Sequence, residues 1–112
     1  MNRANRRRGE VEAVLGGERR ILCLTLGALA ELETAFAVDD LASLGSRFAA
    51  GRLKARDLIR ILGAGLRGGG NALSDEDVAG LDIEGGVSGA ARIVSDLLAA
   101  AFAAEGAAAP DP

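Results

Sequence analysis

The sequence predicts an α+β fold in which an N-terminal β-hairpin packs on a cluster of about four α-helices. Three observations predict it. Val11, Ala13 and Leu15 alternate with Glu10, Glu12 and Val14, the period-2 pattern of a half-buried strand. Gly16-Gly17 follows at once, supplying the positive φ angles that a tight hairpin turn demands. From Leu26 onward the apolar residues recur at helical spacing instead.

The second strand runs from Glu18 to Leu24 and holds Ile21, Leu22, Cys23 and Leu24. Thr25 caps a first helix over 26–36, with Leu29, Leu32 and Phe36 on one face. Asp39 and Asp40 cap a second, in which Leu41, Leu44 and Phe48 fall at i, i+3 and i+7 before Gly51 ends it. A third spans 55–67. Leu58, Ile59, Ile61, Leu62 and Leu66 cover a broad arc of it, and Arg56, Arg60 and Arg67 form a stripe opposite. Such a stripe is usually the wet side of an amphipathic helix, and its second reading is a contact surface. Gly68-Gly69-Gly70-Asn71 reads as a break. Ser74-Asp75-Glu76-Asp77 then opens a short helix like a capping box, with Val78 and Leu81 inward. The last helix, over 87–104, places Val87, Ala91, Val94, Leu98 and Phe102 on one face.

At 112 residues the chain reads as one domain over 9–104, with a basic flexible arm at 1–8 and a disordered tail at 105–112. Nearly half of it, 49%, is apolar and only 3% aromatic, so Leu, Ile, Val and Ala must build the core around Phe36, Phe48 and Phe102. One ribbon of two strands is marginal alone and needs helices behind it. Its outer edge is left for another chain to complete.

Composition excludes much chemistry. With no histidine there is no imidazole for acid–base work, and the commonest metal ligand is missing. Cys23 is the single cysteine, which rules out an internal disulfide; its place in an apolar strand predicts a buried, inert thiol. Neither Trp nor Tyr is present to stack on bases. Gly63-Ala64-Gly65-Leu66-Arg67-Gly68 matches a dinucleotide-binding string letter for letter, yet it closes a helix, the wrong dipole end for a phosphate. The carboxylates at Asp75–Asp77 suit helix capping, and they lack the oxygen-rich loop of a calcium site. No catalytic, cofactor or metal residues are assigned.

The net charge of −3 hides an asymmetry: Arg3, Arg6, Arg7 and Arg8 give the first eight residues +4, so the rest carries −7. The arm reads as a solvated terminus, with nucleic-acid binding as the weaker alternative. The longest apolar run, 97–104, is too short to span a bilayer, and no apolar stretch follows the arm as in a signal peptide. A soluble, cytoplasmic protein is expected.

Longer strings carry a resemblance. Asn5-Arg6-Arg7-Arg8-Gly9-Glu10-Val11-Glu12 and Leu24-Thr25-Leu26-Gly27-Ala28-Leu29-Ala30-Glu31-Leu32-Glu33 resemble the gene transfer agent family of small phage-tail proteins. Arg47-Phe48, Arg56-Asp57-Leu58, Gly65 to Gly70, Ile83-Glu84-Gly85-Gly86 and the stretch from Leu97 to Phe102 continue it. The resemblance implies a bacterial tail morphogenesis protein without enzymatic activity. Two roles are compatible with it. One is a tail assembly chaperone that binds the tape measure protein and tube subunits; the other is a structural tube component retained in the particle. One hairpin among mostly helices favours the chaperone, because tube subunits need enough strand to close rings of sheet. Surface logic then nominates Leu22, Leu24, Arg56, Arg60 and Arg67 for protein binding, with self-association left open.

Overall fold

A computed structural model describes residues 4, 5 and 8–108, with the backbone alone beyond 104. The expected α+β order is observed. Strand β1 (Glu10–Leu15) pairs antiparallel with β2 (Glu18–Cys23), and Val11 lies opposite Leu22. Among the described residues five helices follow: α1 (Leu26–Phe36), α2 (Leu41–Ala49), α3 (Ala55–Gly68), the short α4 (Asp75–Ala79) and α5 (Gly86–Ala108). Gly16 and Gly17, at φ 62° and 78°, form the turn between the strands. The Gly16 N–H also donates to the carbonyl of Asp82 at 2.9 Å, tying the hairpin tip to the α4–α5 link.

The caps read from sequence form as expected. Thr25 Oγ1 accepts from the N–H of Ala28 at 3.1 Å, and Asp40 Oδ1 from that of Ser43 at 2.8 Å. At α4 the box is reciprocal: Asp77 N–H donates to Ser74 Oγ at 3.1 Å, and Ser74 N–H to Asp77 Oδ2 at 2.9 Å. These bonds favour the charged carboxylate, so Asp40 and Asp77 both titrate below the usual aspartate value.

Helix α3 is the spine of the molecule. It touches β2, α1, α4 and α5, while α5 lies mainly along β1 and α3. Ile61, Leu62, Ala64 and Leu66 are buried between Leu15 and Leu22 of the hairpin, Leu32 of α1, Val78 of α4, and Val94 and Leu97 of α5. The glycine-rich string at the C-terminal end of α3 is what allows this contact. A Cβ on Gly68 would stand 2.0 Å from the carbonyl oxygen of Cys23, and one on Gly69 would stand 1.9 Å from that of Ile21. Both obstructing atoms are backbone, so helix and strand meet at a distance that any side chain would prevent.

Asn71 completes the joint. Its Nδ2 donates to the carbonyls of Ile21 at 2.8 Å and Leu66 at 3.0 Å, its Oδ1 accepts from Arg20 at 3.3 Å, and its own N–H reaches Leu66 O at 2.8 Å. The Gly-Gly-Gly-Asn segment read as a break is therefore the helix's C-terminal cap, bonded to β2.

Several expectations need correction. Phe36 is buried and Phe48 packs against the core, but Phe102 is 41% exposed and Val87 67% exposed. The inward face of α5 is carried by Ala90, Val94, Leu97, Leu98, Ala100 and Ala101, one residue round from the expected stripe. Phe102 lies over Gly45 of α2 instead, where an added Cβ would come within 3.1 Å of its ring. Cys23 is half-buried and donates to the carbonyl of Arg8 at 3.5 Å. Desolvation, with the nearby Glu10 charge, raises its thiol pKa, which keeps it protonated and weakly nucleophilic.

Part of the expected arm is joined to the domain: Asn5 N–H donates to Glu10 Oε1 at 2.8 Å, and Glu10 N–H to Asn5 O at 3.0 Å. The rest of the arm's flexibility concerns residues 1–3, 6 and 7, which lie outside the described residues. At the other end α5 continues through Ala108, four residues into the predicted tail, and 109–112 lie outside the described residues. By length and composition the Gly86–Ala104 stretch is also long enough and apolar enough to cross a membrane. Arg92 and Asp96 interrupt it, and its buried stripe packs on α3 and β1, as the core helix of a folded domain would.

Candidate protein-binding surface

The five residues nominated from sequence fall in different environments. Leu22 is fully buried and so is not open for docking, whereas Leu24, 7% exposed, lines a concavity of about 320 Å³ with Leu26, Leu29 and Ala101. The physical reason for the burial of Leu22 is the close approach of α3, which seats it against Gly65. Arg67 is half-buried at the junction of three helices. It pairs with Glu31 of α1, with Asp75 of α4 at 2.9 Å, and with the carbonyl of Leu73 at 3.0 Å. Burial works against its charge, but the bonds to Asp75 and Glu31 outweigh it, and the guanidinium pKa is raised. Arg67 is a structural tie.

Arg56 and Arg60 are brought together on one cleft, and the structure adds three cations to them. Arg47 and Arg52, Lys54, Arg56 and Arg60 line a concavity of about 400 Å³ with Ala35, Phe36, Leu53 and Asp57. Five positive side chains thus meet one carboxylate. That carboxylate is already engaged, because Asp57 Oδ2 accepts from the backbone N–H of Lys54 at 2.8 Å at the start of α3. Among the described residues none of the five cations lies within ion-pair distance of an acid; the ion pairs belong to Arg19, Arg20 and Arg67.

The cleft has a built frame. Helix α1 ends in a left-handed turn at Ala37, φ 53°, a conformation that costs an L-residue about 1–2 kcal/mol. The α1 carbonyls left without helical partners are met by the arginines: Arg47 Nη1 donates to Phe36 O at 2.8 Å, and Arg60 Nη1 to Ala35 O at 3.3 Å. Cations at a helix C-terminus also complement its dipole. One donor of each guanidinium fixes its position and four remain for a ligand. Sequence reasoning saw Arg56 and Arg60 but missed Arg47, Arg52 and Lys54. A charge count would have found them: 47–60 holds five cations and one acid, in a chain of net −3.

Two further features face outward. An apolar groove of about 290 Å³ runs between α3, α4 and α5, lined by Leu58, Ile59, Leu62, Leu81, Ile83 and Val87. Asp82 lines it too, and Glu76, Asp82 and Glu84 along the same stretch of chain are exposed and make no ion pair among the described residues. Also among the described residues, no three Cys, Asp or Glu side chains gather as a metal site would require.

A hairpin on a helical cluster, with a charged cleft and an apolar groove on its surface, defines a small α+β protein. Comparison with protein families places it more closely. The chain belongs to the family described as "Phage tail tube protein, GTA-gp10", whose model matches residues 8–104. It is therefore a phage-tail protein of the gene transfer agent type, in a family with a tail structural or morphogenesis role. No curated protein and no solved structure gives a significant match.

Proposed function

We propose that this chain is a non-enzymatic tail protein that acts by binding other tail proteins, and that it is retained in the phage-like particle as a component of the tail tube. Family membership over residues 8–104 carries this reading. It reverses the order suggested by the sequence, in which the chaperone came first. Assembly takes place in the bacterial cytoplasm, and the finished particle is where the protein resides.

One observation favours the second reading, a tail assembly chaperone that binds the tape measure protein and tube subunits and then leaves. The sheet has two strands of six residues each, little strand with which to close a ring. Quantitative mass spectrometry of purified particles beside the producing cells' lysate separates the two. Retention predicts a fixed copy number per particle. Abundance in the lysate with near absence from particles would replace it with the chaperone reading.

A further inference from the structure

We propose that the basic cleft receives the acidic α4–α5 segment of a second copy of this chain, in a head-to-tail contact. The proposal rests on the protein-binding reading above, and it holds whether or not the protein stays in the particle.

Both halves of the contact are unpartnered within one copy. The cleft holds Arg47, Arg52, Lys54, Arg56 and Arg60 without an ion pair among the described residues. Glu76, Asp82 and Glu84 are exposed carboxylates, also without one, within nine residues on the opposite flank of α3. Like charges left unneutralised on one surface repel, and a surface of opposite sign relieves both patches. Asp82 itself lines the apolar groove with Leu58, Ile59, Leu62, Leu81, Ile83 and Val87, so at that residue the contact joins charge to apolar burial. Arg47 and Arg60 are held in advance by the α1 carbonyls, which lowers the ordering cost of binding.

Nucleic acid is the less suitable occupant. The cleft is a small concavity rather than an extended track, and among the described residues Phe36 is the only ring lining it, itself buried. Because the two patches lie on opposite flanks of α3, each copy engages one neighbour on each side, so the contact propagates into rings or filaments rather than stopping at a dimer.

Sedimentation velocity on the full chain tests this, at about 50 mM and about 500 mM salt. The wild type should associate with rising concentration at low salt, and at least about tenfold more weakly at high salt. Arg52→Glu/Arg56→Glu cancels the cleft's net positive charge without touching the arginines that hold α1; Glu76→Lys/Asp82→Lys/Glu84→Lys reverses the acidic segment. Each variant alone should sediment as a monomer with wild-type circular dichroism. An equimolar mixture should associate again, since the unaltered cleft of the segment variant meets the unaltered segment of the cleft variant. A monomeric wild type at low salt, variants that associate as the wild type does, or a mixture that stays monomeric would each overturn the proposal. The particle measurement is independent, so the failure of one reading is distinguishable from the failure of the other.

Discussion

The two halves of α3 do opposite work. From Ile61 to Gly68 the helix is sunk in the core, with glycines where neighbouring backbone or side chains press against it. From Ala55 to Arg60 only Leu58 is buried, and the flank toward α1 and α2 belongs to the basic cleft. The first half keeps cations that make no ion pair among the described residues; the second half neutralises its one cation, Arg67, twice over. Charge left unpaired on one half and paired on the other is the signature of a helix that both holds the fold together and offers a surface. Substitutions should therefore separate cleanly by half.

The largest effect belongs to the helix–strand joint. An exposed mid-helix glycine replaced by alanine usually gains about 1 kcal/mol. Gly68→Ala should instead cost at least about 3 kcal/mol, since its Cβ would sit 2.0 Å from the Cys23 carbonyl oxygen. Leu22→Ala follows at about 3 kcal/mol, by loss of burial and the cavity left against α3, read as a fall in unfolding free energy. A docking role for Leu22 would predict unchanged stability with weakened association. Arg67→Met should cost about 1 kcal/mol, because its two ion pairs are partly exposed and screened while the bond to the Leu73 carbonyl is also lost.

A smaller effect is visible in the pH dependence. The depressed Asp77 pKa means that its capping contribution is full above the ordinary aspartate value, near pH 4, and is lost as pH falls through the lower folded value. Asp77→Asn should therefore unfold less steeply than the wild type when acidified below about pH 4, as read by circular dichroism. An unchanged acid limb would remove the cap from the account.

What was legible in the sequence divides along the same line. Local signals were read correctly: the Gly16-Gly17 turn, the caps at Thr25, Asp40 and Ser74, and the helix order all depend on neighbours in the chain. Contacts between distant segments were misread. Gly68 and Gly69 look like helix breakers because their reason for being glycine lies some 45 residues upstream, in the carbonyls of β2. The same joint buries Leu22, so a strand that reads as a free edge keeps that leucine inside. Arg67 shares a helical stripe with Arg56 and Arg60, and only the packing of α1 and α4 reveals that it is already paired. Arg47, Arg52 and Lys54 were legible as a local excess of charge, but their convergence on the end of α1 required the fold.

Urea unfolding of Gly68→Ala beside Arg56→Glu tests the division most directly. The account predicts that Gly68→Ala lowers the midpoint by about 1 M or more, while Arg56→Glu stays within about 0.5 kcal/mol of the wild type. Equal losses in the two variants, or a Gly68→Ala protein as stable as the wild type, would contradict it.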